Sequence, residues 1–159
     1  MSDHSPANDP ERESLLRELA ELREQHQRLE STISELAVPV VPLLDGVIVV
    51  PLVGTLDTRR TQQVMESLLT GIAEQQADVA IIDITGVPVV DTLVASYLGQ
   101  AIRAASLLGA QVVLTGIGSR IAQTLVALDI DFTQVTTVAN LRDGIETALA
   151  LKGLRIVPA

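Results

Sequence analysis

Hydroxyl groups at helix starts are the side chains in this sequence best placed for chemistry. Asp91-Thr92 stands directly before an apolar-periodic run of Leu93, Ala95, Tyr97, Leu98, Ala101, Ile102 and Ala105. Asp and Thr are both helix-capping residues, so this loop delivers a hydroxyl to the positive end of a helix. A phosphate placed there meets free backbone N–H groups and a favourable dipole. A second pair, Asp57-Thr58, opens an earlier helix, and Thr124 falls one turn into a later one. The ordinary role of each is capping or back-bonding, worth roughly 1 kcal/mol. Thr92 differs because its loop, Val87-Pro88-Val89-Val90, is apolar until Asp91. In open α/β sheets the C-terminal edge of the strands is where ligands and partners meet the chain. Nearly two added negative charges there would turn an apolar docking surface into one that repels an apolar or acidic partner.

Other chemistry finds few residues. The two histidines, His4 and His26, lie outside the alternating region, so it can hold no Ser-His-Asp arrangement. Neither a phosphate-binding loop of the Gly-x-x-x-x-Gly-Lys type nor a Gly-x-Gly-x-x-Gly after a strand is present. Thr115-Gly116-Ile117-Gly118 does join a strand to a helix, but it lacks the third glycine and the following acidic residue. Asp57, Asp83 and Asp91 could be imagined around a metal; loop and cap roles suit them better, since Asp83 lies within a strand. We therefore expect no enzyme, no cofactor and no metal. The chain has no cysteine, which removes disulfides and thiolate catalysis and fits a cytoplasmic protein. A net charge of −9 argues against a nucleic-acid-binding surface. Apolar stretches are broken by Asp, Pro or Gly before membrane-spanning length, and the polar, acidic start has no signal-peptide core. An aromatic content of 1% beside 47% hydrophobic residues makes the core aliphatic.

The elements that position these hydroxyls follow from periodicity and breakers. Residues 1–9 are polar and without period, the mark of a disordered tail. Over 10–38 the apolar residues Leu15, Leu19, Leu22, Leu29, Ile33 and Leu36 step by fours and threes, with His26 in the missing place. That is a coiled-coil seam, and its shortness calls for a partner chain; a helix packed on its own domain is the alternative. Over 39–152, Val40 to Leu44 and Val47 to Val53 flank Asp45-Gly46, a strong hairpin signal. Pro51 in the second run implies a bulge or an edge position. Helices from Thr58 to about Gln75, Thr92 to Leu108, Gly118-Ser119 through Leu128, and Asn140 to about Leu151 alternate with strands Val79 to Ile84, Val112 to Leu114 and Gln134 to Val138. The order is ββαβαβαβα, an α/β fold: a mostly parallel mixed sheet of about five strands with about four helices, expected along one side. Residues 153–159 read as a loose tail.

The stretches Asp83-Ile84-Thr85-Gly86-Val87-Pro88-Val89-Val90-Asp91-Thr92, Leu114-Thr115-Gly116-Ile117 and Ile121-Ala122-Gln123-Thr124-Leu125 resemble the STAS domains of the RsbR and RsbS stressosome proteins. Val50-Pro51-Leu52-Val53-Gly54-Thr55-Leu56-Asp57-Thr58 fits the same pattern, and the likeness runs from about Val38 to Leu151. The resemblance implies a STAS fold and a non-enzymatic scaffold in a large bacterial cytoplasmic assembly. Such a scaffold sequesters an RsbT-type serine/threonine kinase and releases it once phosphorylated, regulating a stress response. Thr92 would be the principal acceptor, Thr58 a second and Thr124 an accessory one. Asp91, Thr85, Gly86, Val87 and Pro88 would form the switch loop that meets the partner. Implied partners are RsbS-like and other RsbR-like proteins, with homodimerisation through the N-terminal helix. RsbR proteins usually carry a sensory domain ahead of the STAS domain, whereas here a short coil stands there, so we expect sensing to belong to another chain. From another class, the glycines Gly54, Gly86 and Gly116 could line a nucleotide or lipid site, and STAS domains also serve as anti-sigma-factor antagonists. A purely structural oligomer, with the threonines only capping, is a third reading.

Overall fold

The computed structural model describes residues 10–35, 38–129, 132–133 and 135–157, with backbone alone for 30–35. The tail expected over 1–9, the seam residue Leu36 and the expected strand start at Gln134 lie outside the described residues, as do the side chain of Ile33 and the last two residues of the loose tail.

The chain divides into two units, Met1–Ala37 and Val38–Ala159. In the first, helix α1 runs Pro10–Glu35. Leu15, Leu19, Leu22 and Leu29 are exposed along it. Its ion pairs Glu13–Arg17 and Glu24–Arg28 are solvent-facing, so they support the helix only modestly.

Among the described residues the second unit is a five-stranded sheet with four helices. The strands are β1 (Val41–Leu44), β2 (Val47–Val53), β3 (Val79–Gly86), β4 (Gln111–Thr115) and β5 (Val135–Val138), in that spatial order. β1 and β2 form the Asp45-Gly46 hairpin, and β2 through β5 are parallel. The helices are α2 (Thr58–Gln75), α3 (Thr92–Leu107), α4 (Ser119–Ala127) and α5 (Leu141–Leu151). Pro51 resolves as both expected alternatives at once. The β1 partner of β2 reaches only to Val49, and the β2–β3 register shifts between Pro51 and Val53.

The helices do not all line one side. Val50, Ile82, Ile84 and Leu114 point into the core shared with α2, α3 and α4. Val47, Val49, Val79, Ile81 and Val113 form a second cluster with Leu141, Ile145 and Ala148 of α5. Parallel strands that are apolar on both faces need cover on both, and α5 supplies the second cover. Strand β3 also continues through Thr85 and Gly86, past the expected end at Ile84.

Close seating of α5 depends on Gly144. A Cβ there would lie 2.5 Å from the Thr115 methyl and 3.4 Å from that of Ile81. The Thr115 methyl cannot swing aside freely, because its hydroxyl donates to Asp83 at 2.7 Å. Glycine inside a helix ordinarily costs about 0.5–1 kcal/mol against alanine, but overpacking costs about 1–3. Gly144→Ala should therefore destabilise the fold by about 1–2 kcal/mol despite its better helix propensity. Urea denaturation measures the sign.

Candidate functional site

The first residues of α2 and α3 are built alike. Asp91 is the N-cap of α3, its Oδ1 accepting from the Val94 N–H at 2.8 Å. Asp57 caps α2, its Oδ1 accepting from the Arg60 N–H at 2.7 Å. The aspartates do the capping, and the threonines are the first helical residues. Thr92 and Thr58 are exposed, and neither hydroxyl has a hydrogen-bond partner among the described residues. Thr124 is different: it is half-buried and its hydroxyl donates to the Arg120 carbonyl at 3.2 Å, the usual back-bond of a helical threonine. Thr61, unremarked in the sequence, is buried, its hydroxyl donating to the Asp57 carbonyl at 2.6 Å.

The loop before Thr92 is anchored at the two ends of its apolar stretch. Val87 and Val90 are buried, and the Val87 N–H donates to the Ile84 carbonyl at 3.0 Å. Between and beyond them Pro88, Val89 and Leu93 face out, the last two 49% and 51% exposed. A free hydroxyl thus stands among exposed apolar side chains. Thr85 and Gly86, expected in this loop, are instead the last residues of β3.

Asp83 has a role that sequence reasoning missed. Its Oδ1 accepts from the hydroxyls of Thr85 at 2.6 Å and Thr115 at 2.7 Å, and from the Thr85 N–H at 3.3 Å. The signal was a lone carboxylate in an apolar run; its second partner lies 32 residues away and has no local sign. Among the described residues, no group of three or more His, Cys, Asp or Glu could hold a metal ion.

The glycines are where backbones touch. Gly54 N–H donates to the Gly86 carbonyl at 2.9 Å. A Cβ on Gly86 would lie 3.1 Å from the Leu52 carbonyl oxygen, and one on Gly116 would overlap Thr85. Gly86 and Gly116 thus serve close approach of neighbouring strand ends. An open cleft of about 310 Å³ lies elsewhere, lined by Ile72, Ala73, Gln76, Ala77, Asp78, Leu108 and Gly109.

With this geometry in view, the comparisons with known proteins are specific. The model of the STAS domain matches residues 38–148. The chain belongs to the STAS-domain family. The RsbT co-antagonist protein RsbRA of Bacillus subtilis (strain 168) is 48% identical over 125 residues, covering 79% of this chain and 46% of RsbRA. The chain thus spans less than half the length of that relative. A solved RsbS of Moorella thermoacetica with a serine-to-glutamate substitution is 34% identical, with a TM-score of 0.65, over 74% of this chain and 98% of that one. A chain from the structure titled "Molecular architecture of the stressosome, a signal integration and transduction hub" is 32% identical, with a TM-score of 0.61, over 72% and 98%. This STAS domain is of the RsbR/RsbS type, as its motifs led us to expect. Among the described residues, no helix is long and apolar enough to cross a membrane.

The division of labour at the helix start has a direct test. Asp91→Ala should cost about 1 kcal/mol, the usual loss of an N-cap, whereas Thr92→Ala should change stability by less than about 0.5 kcal/mol. Thermal and urea unfolding of the two variants check this.

Proposed function

We propose that this chain is a non-enzymatic scaffold of a stressosome-type cytoplasmic assembly in a bacterium. It holds an RsbT-type serine/threonine kinase and releases it when Thr92 is phosphorylated, so regulating a stress response. The observation that carries this reading is the Thr92 hydroxyl: exposed, without a hydrogen bond, and flanked by exposed Val89 and Leu93. A structural cap would be engaged, and here Asp91 already does that work. The relationship to an RsbT co-antagonist and to a stressosome chain supports the choice of kinase and assembly.

Phosphorylation adds about 1.5–2 negative charges at pH 7. At Thr92 that charge arrives beside the Asp91 carboxylate and on an apolar surface. The helix N-terminus tolerates it, so the domain stays folded, while an apolar partner loses its contact. Thr58 has the same build and is the second acceptor. Thr124 is the accessory one, and its hydroxyl must first leave the Arg120 carbonyl. Asp91, Val87 and Pro88 shape the surface that the kinase meets, with Thr85 and Gly86 behind them. The exposed leucines of α1 form the seam of a homodimer, and RsbS-like and other RsbR-like proteins complete the assembly.

Incubation with an RsbT-type kinase and ATP, followed by phosphosite mapping, should label Thr92 first and Thr58 second. Thr92→Asp should weaken kinase capture by about tenfold or more, against about threefold or less for Thr92→Ala, since only the former adds charge. No label on either residue and no complex would overturn the reading. Removing residues 1–37 should leave a folded domain of lower mass in solution; light scattering reads the difference.

A further inference from the structure

The ends of three parallel strands are tied together just before the loop that carries Thr92. One oxygen of Asp83 accepts from Thr85 on its own strand and from Thr115 at the end of β4. Thr85 in turn lies against Gly116, whose φ is +79°; a Cβ there would stand 2.5 Å from the Thr85 nitrogen and 2.7 Å from its Cα. On the other side Gly86 is bonded to Gly54 and sits against Leu52 and Val53 of β2. Thr115 is fully buried and backed by Gly144 of α5.

Two backbone hydrogen bonds, Gly54 N–H to the Gly86 carbonyl and Val87 N–H to the Ile84 carbonyl, hold the start of the loop, and both lie next to the strand end that Asp83 ties to β4. Between Gly86 and the cap at Asp91, Val87 and Val90 are buried while Pro88 and Val89 face solvent. Its far end is set by the Asp91 cap and its near end by the strand terminus that Asp83 holds. Without that carboxylate, Thr85 loses a partner for both its hydroxyl and its N–H. The Thr115 hydroxyl is left without its acceptor in a fully buried place, which is costly enough to shift the strand ends.

We infer that Asp83 is a positioning residue of the switch: it sets where the Thr92 hydroxyl is offered without touching kinase or phosphate. This rests on the reading of Thr92 as acceptor. A single acceptor oxygen receives all three donors, so an amide, which keeps that oxygen, should substitute for the carboxylate where alanine cannot.

The test compares Asp83→Ala and Asp83→Asn in the full chain. The first readout is amide hydrogen exchange, which needs no kinase. In Asp83→Ala the amides of residues 85–94 should exchange about tenfold faster, while those in the middle of β2 and β4 change by less than about threefold. Asp83→Asn should restore most of the protection. The second readout is phosphorylation of Thr92 by an RsbT-type kinase: kcat/KM should fall about tenfold for Asp83→Ala and recover in Asp83→Asn. Unchanged exchange over 85–94, equal acceleration throughout the sheet, or no rescue by asparagine would each overturn the inference. If Asp83→Ala does not fold, Thr85→Val removes one donor with little change of shape and must show the same local pattern. Absence of any label on Thr92 in the unaltered chain counts against the functional reading alone, because hydrogen exchange still decides the role of Asp83.

Discussion

Strand β3 is apolar toward both sides of the sheet, and keeping water off both faces governs the rest of the domain. Ile82 and Ile84 face the core under α2 and α3, while Val79 and Ile81 face α5. Each face contributes burial at about 25 cal/mol per Å², and neither can be left open without losing its share. The strand's charged residue, Asp83, comes level with Thr115, where β4 ends. It is provided with donors from two strands, in keeping with the rule that buried or half-buried polar groups find partners. Among the described residues no buried side-chain nitrogen or oxygen lacks one.

Capping and presentation are separated at the candidate site. In each Asp-Thr pair the acidic side chain turns back to the helix N–H groups, and the following hydroxyl is left facing water. This arrangement lets a modification change the surface without removing a bond that the fold relies on. Thr124 lacks it, having no aspartate before it and a hydroxyl engaged with the preceding turn.

What the sequence made legible was local chemistry. Asp45-Gly46 located the hairpin, Asp57, Asp91 and Asn140 located three helix starts, and apolar runs located the strands, because each signal acts within a few residues. The place of the Thr92 hydroxyl, exposed at the first residue of α3, was legible for the same reason. The side of the sheet taken by α5 was not, since an apolar stripe says that a helix must be covered and not by which face. Nor was the end of β3: Thr85 and Gly86 look like turn residues, yet pairing with Val53 keeps Gly86 in the sheet. The tie from Asp83 to Thr115 depends on two distant strands stopping at the same level, which no window of sequence contains.

The hairpin proline has an effect beyond its own bulge. Beyond Val49 the outer flank of β2 has no neighbouring strand among the described residues, and the outermost strand β1 is four residues long with Pro42 inside it. A row of free N–H groups on such a margin could template the addition of a foreign chain, and proline removes a donor from the row. The opposite margin, β5, is equally brief. Copies of this domain can therefore crowd together at high local concentration with little tendency to zip sheet to sheet, leaving side-chain surfaces to choose the neighbours.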